Sequence, residues 1–189
     1  MIKAIKERNK ISLAALELAH DNNFHKIPAE DRIKLITEVL SIGEEIADWA
    51  TAEYNTSDPR KLAEYLGVKI IGEDFGQMRK TEYRKKQKEI IIFHDTLKRL
   101  TSEITVPDLS ERILRFLIAH ELFHHLEETK IGYVYKRFKF RGKLWTHYYI
   151  KGLSEVAAQA FTQKLLALEF SPHVFDYLTY ILFTSDFKH

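Results

Sequence analysis

Residues 119–125 read AHELFHH and place two histidines four residues apart, with a glutamate directly after the first. On a helix, residues i and i+4 share a face, so His120 and His124 can offer ring nitrogens to one zinc ion at about 2.0–2.1 Å. Glu121 lies about 100° round the helix from His120, where it can take a proton from a water at the metal. The pattern therefore predicts a Zn2+ site with Glu121 as the general base of a hydrolytic reaction.

The alternative is a pair of surface or capping histidines that match a short pattern by chance, because only three positions of the motif are fixed. The same face of the predicted helix continues back through Ile113 and Leu117, so both histidines are expected to point into the protein. Imidazoles without partners on an apolar face would cost desolvation energy. This context favours the metal site over the chance match.

A catalytic zinc needs a third protein ligand and one open position. The metzincin arrangement is excluded because Glu127 and Lys130 stand where that class has glycine and a third histidine. The remaining candidates are His147, which lies among aromatic residues in a loop or strand, and Glu155, near the start of a helix. Small residues beside Glu155 would let that helix pack closely against the metal helix: Ala157, Ala158 and Ala160. The residues alone favour Glu155 and leave His147 open.

Other polar side chains near the predicted ligands are candidates for supporting roles. His147, Tyr148 and Tyr149 precede Glu155 and could stabilise the oxyanion that forms when water attacks a carbonyl. Gln159, one turn after Glu155, could orient the ligands or could be a surface glutamine. His125 lies off the metal face and is interpreted as a packing histidine or a support of the ligands, and not as a ligand.

The composition favours a folded, water-soluble chain: 189 residues, 45% hydrophobic and 30% charged. A net charge of +2 argues against nucleic acid as the main partner, so the basic stretches at 79–88 and 136–143 are interpreted as solvated surface. The absence of cysteine excludes disulfides and thiolate sites and is compatible with a reducing cytoplasm. No apolar run reaches the ~18 residues of a membrane span. We expect a cytoplasmic protein that does not enter the membrane, and its oligomeric state stays open.

Residues 1–56 are predicted to form an N-terminal helical region. Glu17 interrupts the short apolar run of the N-terminus, which favours an amphipathic helix over a signal peptide. A second helix is predicted from Pro28 to about Tyr54. Its apolar stripe consists of Ile33, Ile36, Leu40, Ala47 and Ala50.

Residues 57–169 are predicted to form a helix-rich α+β core with a small β-sheet, followed by a C-terminal helix over 170–189 that packs on it. The predicted strands are 68–71 and 89–93, with a hairpin turn at 141–143. The predicted helices are 59–66, 109–127 and 154–169. Asp108 is expected to cap the metal helix, with Glu111 completing a capping box.

Four blocks of sequence occur in an order that is typical of one family. They read RKLAEYLGVKI from residue 60, EIIIFHDTL from 89, ERILRFLIAHELFHH from 111 and EVAAQAFTQKLL from 155. Together they resemble the ImmA/IrrE family of zinc metallopeptidases over roughly residues 57–168. The resemblance is more specific than the five-residue motif because it covers most of the chain.

The resemblance implies a zincin-like fold and a role for each motif residue. His120 and His124 match the family's zinc ligands, Glu121 its general base, and Glu155 its third ligand. The chain departs from the family's usual residues at three positions: Phe123, Gln159 and Leu168.

The implied function is a zinc-dependent endopeptidase that cleaves a cytoplasmic regulatory protein. The resemblance implies that this protein substrate is a helix-turn-helix transcriptional repressor of a phage or mobile element. The alternative is a non-catalytic binding protein of the same fold, with a structural or sensing zinc and the N-terminal helices as its partner-binding region. An intact Glu121 favours the enzyme, since a purely structural site needs no base.

Overall fold

The computed structural model describes residues 2–74, 80–95, 97–98, 108–142 and 146–169. The helices are α1 (Ile2–Leu18), α2 (Ala29–Tyr54), α3 (Pro59–Leu66), α4 (Leu109–Leu126) and α5 (Gly152–Leu165). The strands are β1 (Lys69–Glu73), β2 (Thr81–Arg84), β3 (Glu89–Phe93), β4 (Phe140–Arg141) and β5 (His147–Tyr148). Single turns of 3-10 helix cover Phe24–Lys26 and Val134–Arg137, and a π-helical turn covers Glu127–Ile131. The predicted helix-rich α+β class with a small sheet is confirmed.

The small sheet has the strand order β1-β3-β2, with β3 in the centre. Strand β3 pairs parallel with β1 and antiparallel with β2. Its four apolar residues, IIIF, are all buried, as a continuous β-branched run predicts. The predicted strands at 68–71 and 89–93 correspond to β1 and β3.

Strand β2 was not predicted, because residues 79–88 were interpreted as a solvated basic stretch. All four of its residues are partly buried, and its register places Thr81 opposite Ile92 and Tyr83 opposite Ile90. The strand runs beside α4. It therefore forms the edge of the sheet nearest to the predicted metal helix.

Helix α5 lies against α2 in the most extensive helix contact of the described residues. Gly43 makes this possible, because a β-carbon there would lie 2.3 Å from the carbonyl oxygen of Ala157 and 2.8 Å from the β-carbon of Ala160. Helix α5 also packs on α4, where the rings of Phe161 and Phe123 lie 5.5 Å apart. The small residues of α5 were predicted to serve the metal helix, but Ala157 and Ala160 lie against α2.

One hydrophobic cluster contains buried side chains of both the N-terminal helices and residues 57–169. The predicted stripe of α2 is buried at Ile36, Leu40, Ala47 and Ala50, whereas Ile33 is 60% exposed and its prediction was wrong. None of the helices in the described ranges has both the length and the hydropathy needed to cross a membrane. A functional division near residue 56 stays a prediction.

Helix α4 begins at Leu109 as predicted, but without the predicted capping box. Asp108 adopts a left-handed conformation with φ of 60°, and its side chain makes no capping hydrogen bond. Glu111 instead accepts two hydrogen bonds of 2.7 Å from the guanidinium group of Arg60 on α3. This ion pair joins the start of the metal helix to α3.

Strands β4 and β5 form a hairpin as predicted, with Phe140 opposite Tyr148. Arg141 was predicted to lie in the turn, but it belongs to β4 and pairs with His147, so the turn begins later. The amide of Gly142 donates to the carbonyl of Thr146 at 2.8 Å. Residues 143–145 of the turn lie outside the described ranges. The predicted C-terminal helix over 170–189 lies outside them as well.

We expect Gly43→Ala to destabilise the protein, although the same change on an exposed helix stabilises by about 1 kcal/mol. The added methyl group would overlap the backbone of Ala157, and such overpacking costs about 1–3 kcal/mol. Urea denaturation measures the free energy of unfolding. Glu38→Ala, at an exposed position of the same helix, is the control and should not lower it. Equal stability of Gly43→Ala and wild type would contradict the proposed packing.

Candidate metal centre

Two histidines of α4 lie one helical turn apart and direct the same ring nitrogen to one point. The Nε2 atoms of His120 and His124 are 3.2 Å apart, and their rings meet edge to face at 5.0 Å. The side chains are 16% and 22% exposed, so both are largely withdrawn from solvent. Residues of α4 that precede them are buried, including Ile113, Phe116 and Leu117. The helix therefore positions the two imidazoles at the margin of the core.

Glu155, in the first turn of α5, supplies a carboxylate to the same point. Its Oε2 lies 3.3 Å from Nε2 of His120, and its Oε1 lies 3.5 Å from Nε2 of His124. One donor atom from each of the three residues lies within 4.8 Å of the other two. The structure thus brings together the two histidines and the third ligand that the sequence favoured.

The spacing of these donor atoms fits a tetrahedral metal ion. Zinc–ligand distances of about 2.0–2.1 Å place neighbouring tetrahedral ligands roughly 3.3–3.4 Å apart. The two Nε2 atoms are 3.2 Å apart, and each lies near a different oxygen of Glu155: Oε2 is 3.3 Å from His120, and Oε1 is 3.5 Å from His124. The side chain of Glu155 is 46% exposed, so the group is open to solvent on one side. Two imidazoles and one carboxylate with an open position are a donor set that suits a catalytic zinc.

The charges of the centre shift two pKa values in opposite directions. Burial alone would raise the pKa of Glu155, but hydrogen bonds and positive charge from His120 and His124 hold it well below its usual range. Burial alone would lower the pKa of His124, but hydrogen bonds to Glu127 and Glu155, with the charges of Glu155 and Glu121, raise it to about 10. Without a cation, the centre therefore holds a proton on His124 at neutral pH.

Glu121 lies beside the three donors and not among them. Its Oε1 accepts a hydrogen bond of 2.5 Å from the hydroxyl of Thr81 on β2. Its negative charge contributes to the raised pKa of His124. Thr81 was missed at the sequence level because strand β2 was not predicted. Its only sequence signal is a β-branched residue within the TEYR stretch.

Glu127 makes a second contact with the centre that the sequence did not reveal. Its Oε2 lies 3.3 Å from Nδ1 of His124, and the residue is only 2% exposed. From the sequence, Glu127 was noted only because it stands where a metzincin has glycine. Its position three residues after His124 was an available signal, but such glutamates are common on solvated helix faces.

His147 does not belong to the donor group that the described residues form. It is exposed on β5, opposite Arg141. The ring of Tyr148 stacks on Phe140 at 5.4 Å, with the ammonium group of Lys26 5.0 Å from its centre. The ring of Tyr149 meets that of Tyr135 edge to face at 6.1 Å. An oxyanion-stabilising role for His147, Tyr148 or Tyr149 stays a prediction.

Two further polar residues predicted near the centre are buried. Gln159 is 5% exposed, one turn after Glu155, and its predicted support of the ligands stays a prediction. His125 is 2% exposed, and its Nδ1 lies 2.6 Å from the hydroxyl of Tyr83. His125 therefore joins α4 to strand β2 and, among the described residues, lies outside the donor group.

Comparisons of this chain with protein-family models, with curated proteins and with solved structures find no match. The resemblance to the ImmA/IrrE family therefore stays a prediction from four sequence blocks. The functional interpretation depends on those blocks and on the geometry of the centre.

We expect Glu155→Ala to remove most of the bound zinc, because two imidazoles alone leave the ion without its carboxylate ligand. His147→Ala is the matched control and should keep about one zinc per chain, as wild type should. Elemental analysis of the three purified proteins after zinc reconstitution and dialysis provides the measurement. If His147→Ala lost the metal while Glu155→Ala kept it, the third ligand would be His147.

Zinc binding should release about one proton near pH 7, because a metal-free His124 is protonated below its raised pKa of about 10. Metal and proton compete for the same ring nitrogen, so zinc affinity should rise with pH up to that value. Isothermal titration calorimetry in buffers of different ionisation enthalpy measures the number of protons released. Binding enthalpies that do not depend on the buffer would contradict protonation of His124.

Proposed function

We propose that the protein is a zinc-dependent endopeptidase with a zincin-like core. One observation carries the proposal: a carboxylate that is not a ligand, Glu121, stands beside a solvent-open group of two histidines and a glutamate. The donor geometry suits zinc, and the resemblance to the ImmA/IrrE family agrees with it. Other divalent metals accept the same donors, so the identity of the ion is part of the proposal.

The chain's own groups have distinct tasks in peptide hydrolysis. When bound, the metal supplies Lewis acidity to a water and to the scissile carbonyl. His120, His124 and Glu155 would hold it and would leave one side open for both. Glu121 takes the proton from the attacking water and later gives it to the leaving amine. The hydrogen bond from Thr81 restricts the rotation of the Glu121 carboxylate and keeps it directed beside the centre.

Strand β2 offers a way to hold an extended substrate. It is the outer strand in the order β1-β3-β2, and its residue Thr81 contacts the proposed base. An extended peptide can add to such an edge through main-chain hydrogen bonds, which favours unstructured substrates over folded ones. A peptide on β2 would pass next to Glu121.

The substrate class in this proposal comes from the family resemblance. We infer a cytoplasmic regulatory protein, such as a helix-turn-helix repressor of a phage or mobile element. A sequence without cysteine is compatible with that compartment.

A second candidate is a binding protein of the same fold in which the metal has a structural or sensing role. The hydrogen bond between Thr81 and Glu121 favours it, because this contact gives Glu121 a task in joining β2 to α4. The enzyme is the stronger proposal, because a structural zinc site is closed by four protein ligands and this group is open.

Glu121→Gln should abolish cleavage and keep the zinc, because the amide cannot accept the proton of water while the three ligands are unchanged. The removal of a general base typically lowers a rate by about 10²–10⁴-fold. Zinc-loaded wild type and variant are incubated with extract of the source organism, and new protein N-termini are identified by mass spectrometry.

Termini produced by wild type and absent with Glu121→Gln would support the endopeptidase. A chelator-treated wild type is the second control and should produce none of them. Identical termini with both proteins, or none with zinc-loaded wild type, would contradict the enzyme and leave the binding protein.

A further inference from the structure

Glu127 lies at the junction between α4 and the π-helical turn and is almost completely buried, at 2% exposure. A buried carboxylate is costly unless hydrogen-bond donors surround it. Three groups do so here. Its Oε1 accepts hydrogen bonds from the amide of Val134 at 2.7 Å and the hydroxyl of Ser154 at 2.5 Å. Its Oε2 faces Nδ1 of His124 at 3.3 Å.

The contact with Nδ1 determines which nitrogen of His124 can bind a metal. A carboxylate oxygen accepts hydrogen bonds, so a hydrogen on the Nδ1 that faces it completes this contact. The lone pair of a neutral imidazole is then on Nε2, the atom that points to His120 and Glu155. Carboxylates that hold histidine ligands in this way are common around metal ions.

The contact with Ser154 links Glu127 to Glu155, the third ligand. Ser154 directly precedes Glu155 at the start of α5, and its oxygen also accepts a hydrogen bond from the amide of Tyr135 at 3.3 Å. A shift of Glu127 would thus disturb both the orientation of His124 and the backbone that carries Glu155. One carboxylate is tied to two of the three donors, which come from different helices.

We propose that Glu127 is a positioning residue of the metal centre, which selects the metal-binding tautomer of His124 and anchors the helix that presents Glu155. The inference rests on the metal centre of the proposed function, but not on peptidase activity. Its readout is therefore metal affinity and the state of the His124 ring.

Glu127→Gln tests this role with little change in size. The amide oxygen can still accept from Val134 and Ser154, but the NH2 group then faces Nδ1 of His124. That contact favours the tautomer of His124 with hydrogen on Nε2. In this tautomer, Nε2 must lose its hydrogen before it can bind the metal. We expect zinc affinity to fall about 10–100-fold, as measured by competition with a chromophoric chelator.

Glu128→Gln is the matched control, one residue along the chain and with the same loss of charge. The Glu128 carboxylate contacts the ammonium group of Lys85 and the hydroxyl of Tyr133. Its replacement should leave zinc affinity as in wild type. Equal affinities of Glu127→Gln and wild type, or equal losses in Glu127→Gln and Glu128→Gln, would overturn the proposal.

Nitrogen-15 NMR of zinc-loaded wild type provides a measurement that does not depend on folding of a variant. The proposal requires a hydrogen on Nδ1 of His124, slow to exchange, and the metal on Nε2. A metal on Nδ1 would overturn it. The outcomes also separate the two proposals: wild type that binds zinc through Nε2 of His124, but cleaves nothing, would contradict only the peptidase.

Discussion

The candidate metal centre depends on the close contact between α2 and α5, because two of its donors belong to α4 and the third belongs to α5. The backbone of α5 can approach α2 only where Gly43 has no side chain. On its other side, Phe161 lies against Phe123 of α4. Helix α5 is thus fixed from both sides, and the position of Glu155 follows from that. The N-terminal helices therefore contribute to the geometry of a centre that contains none of their residues.

The candidate centre has more carboxylates than imidazoles, and this imbalance favours positive charge between them. Three carboxylates surround two imidazoles, and each has its own partner: Glu121 is held by Thr81, Glu127 by Val134 and Ser154, and Glu155 by the histidines. In such surroundings a divalent cation is favoured, and in its absence a proton takes part of its place, as the raised pKa of His124 indicates.

Local sequence patterns predicted the elements that carry the donors. They could not predict contacts between segments that are distant in the sequence. The apolar stripe of α4, the run of isoleucines in β3 and the small residues after Glu155 each showed their element type in the sequence. Strand β2 did not, because TEYR lies within a basic stretch and is only half-buried. Buried Glu127 accepts hydrogen bonds from Val134 and Ser154. Glu111 was expected to cap its own helix, but it pairs with Arg60, fifty-one positions away. No pattern within one helix contains those partners.

The two ends of the segment between α4 and α5 are joined, because Val134 and Ser154 donate hydrogen bonds to the same oxygen of Glu127. The β4–β5 hairpin lies between Val134 and Ser154 in the chain, so these hydrogen bonds hold the segment on both sides of the hairpin. Doubling the length of a flexible loop costs only about 0.6 kcal/mol. Changes in the length of the connection between β4 and β5 should therefore cost little stability, so this segment is free to vary in length during evolution.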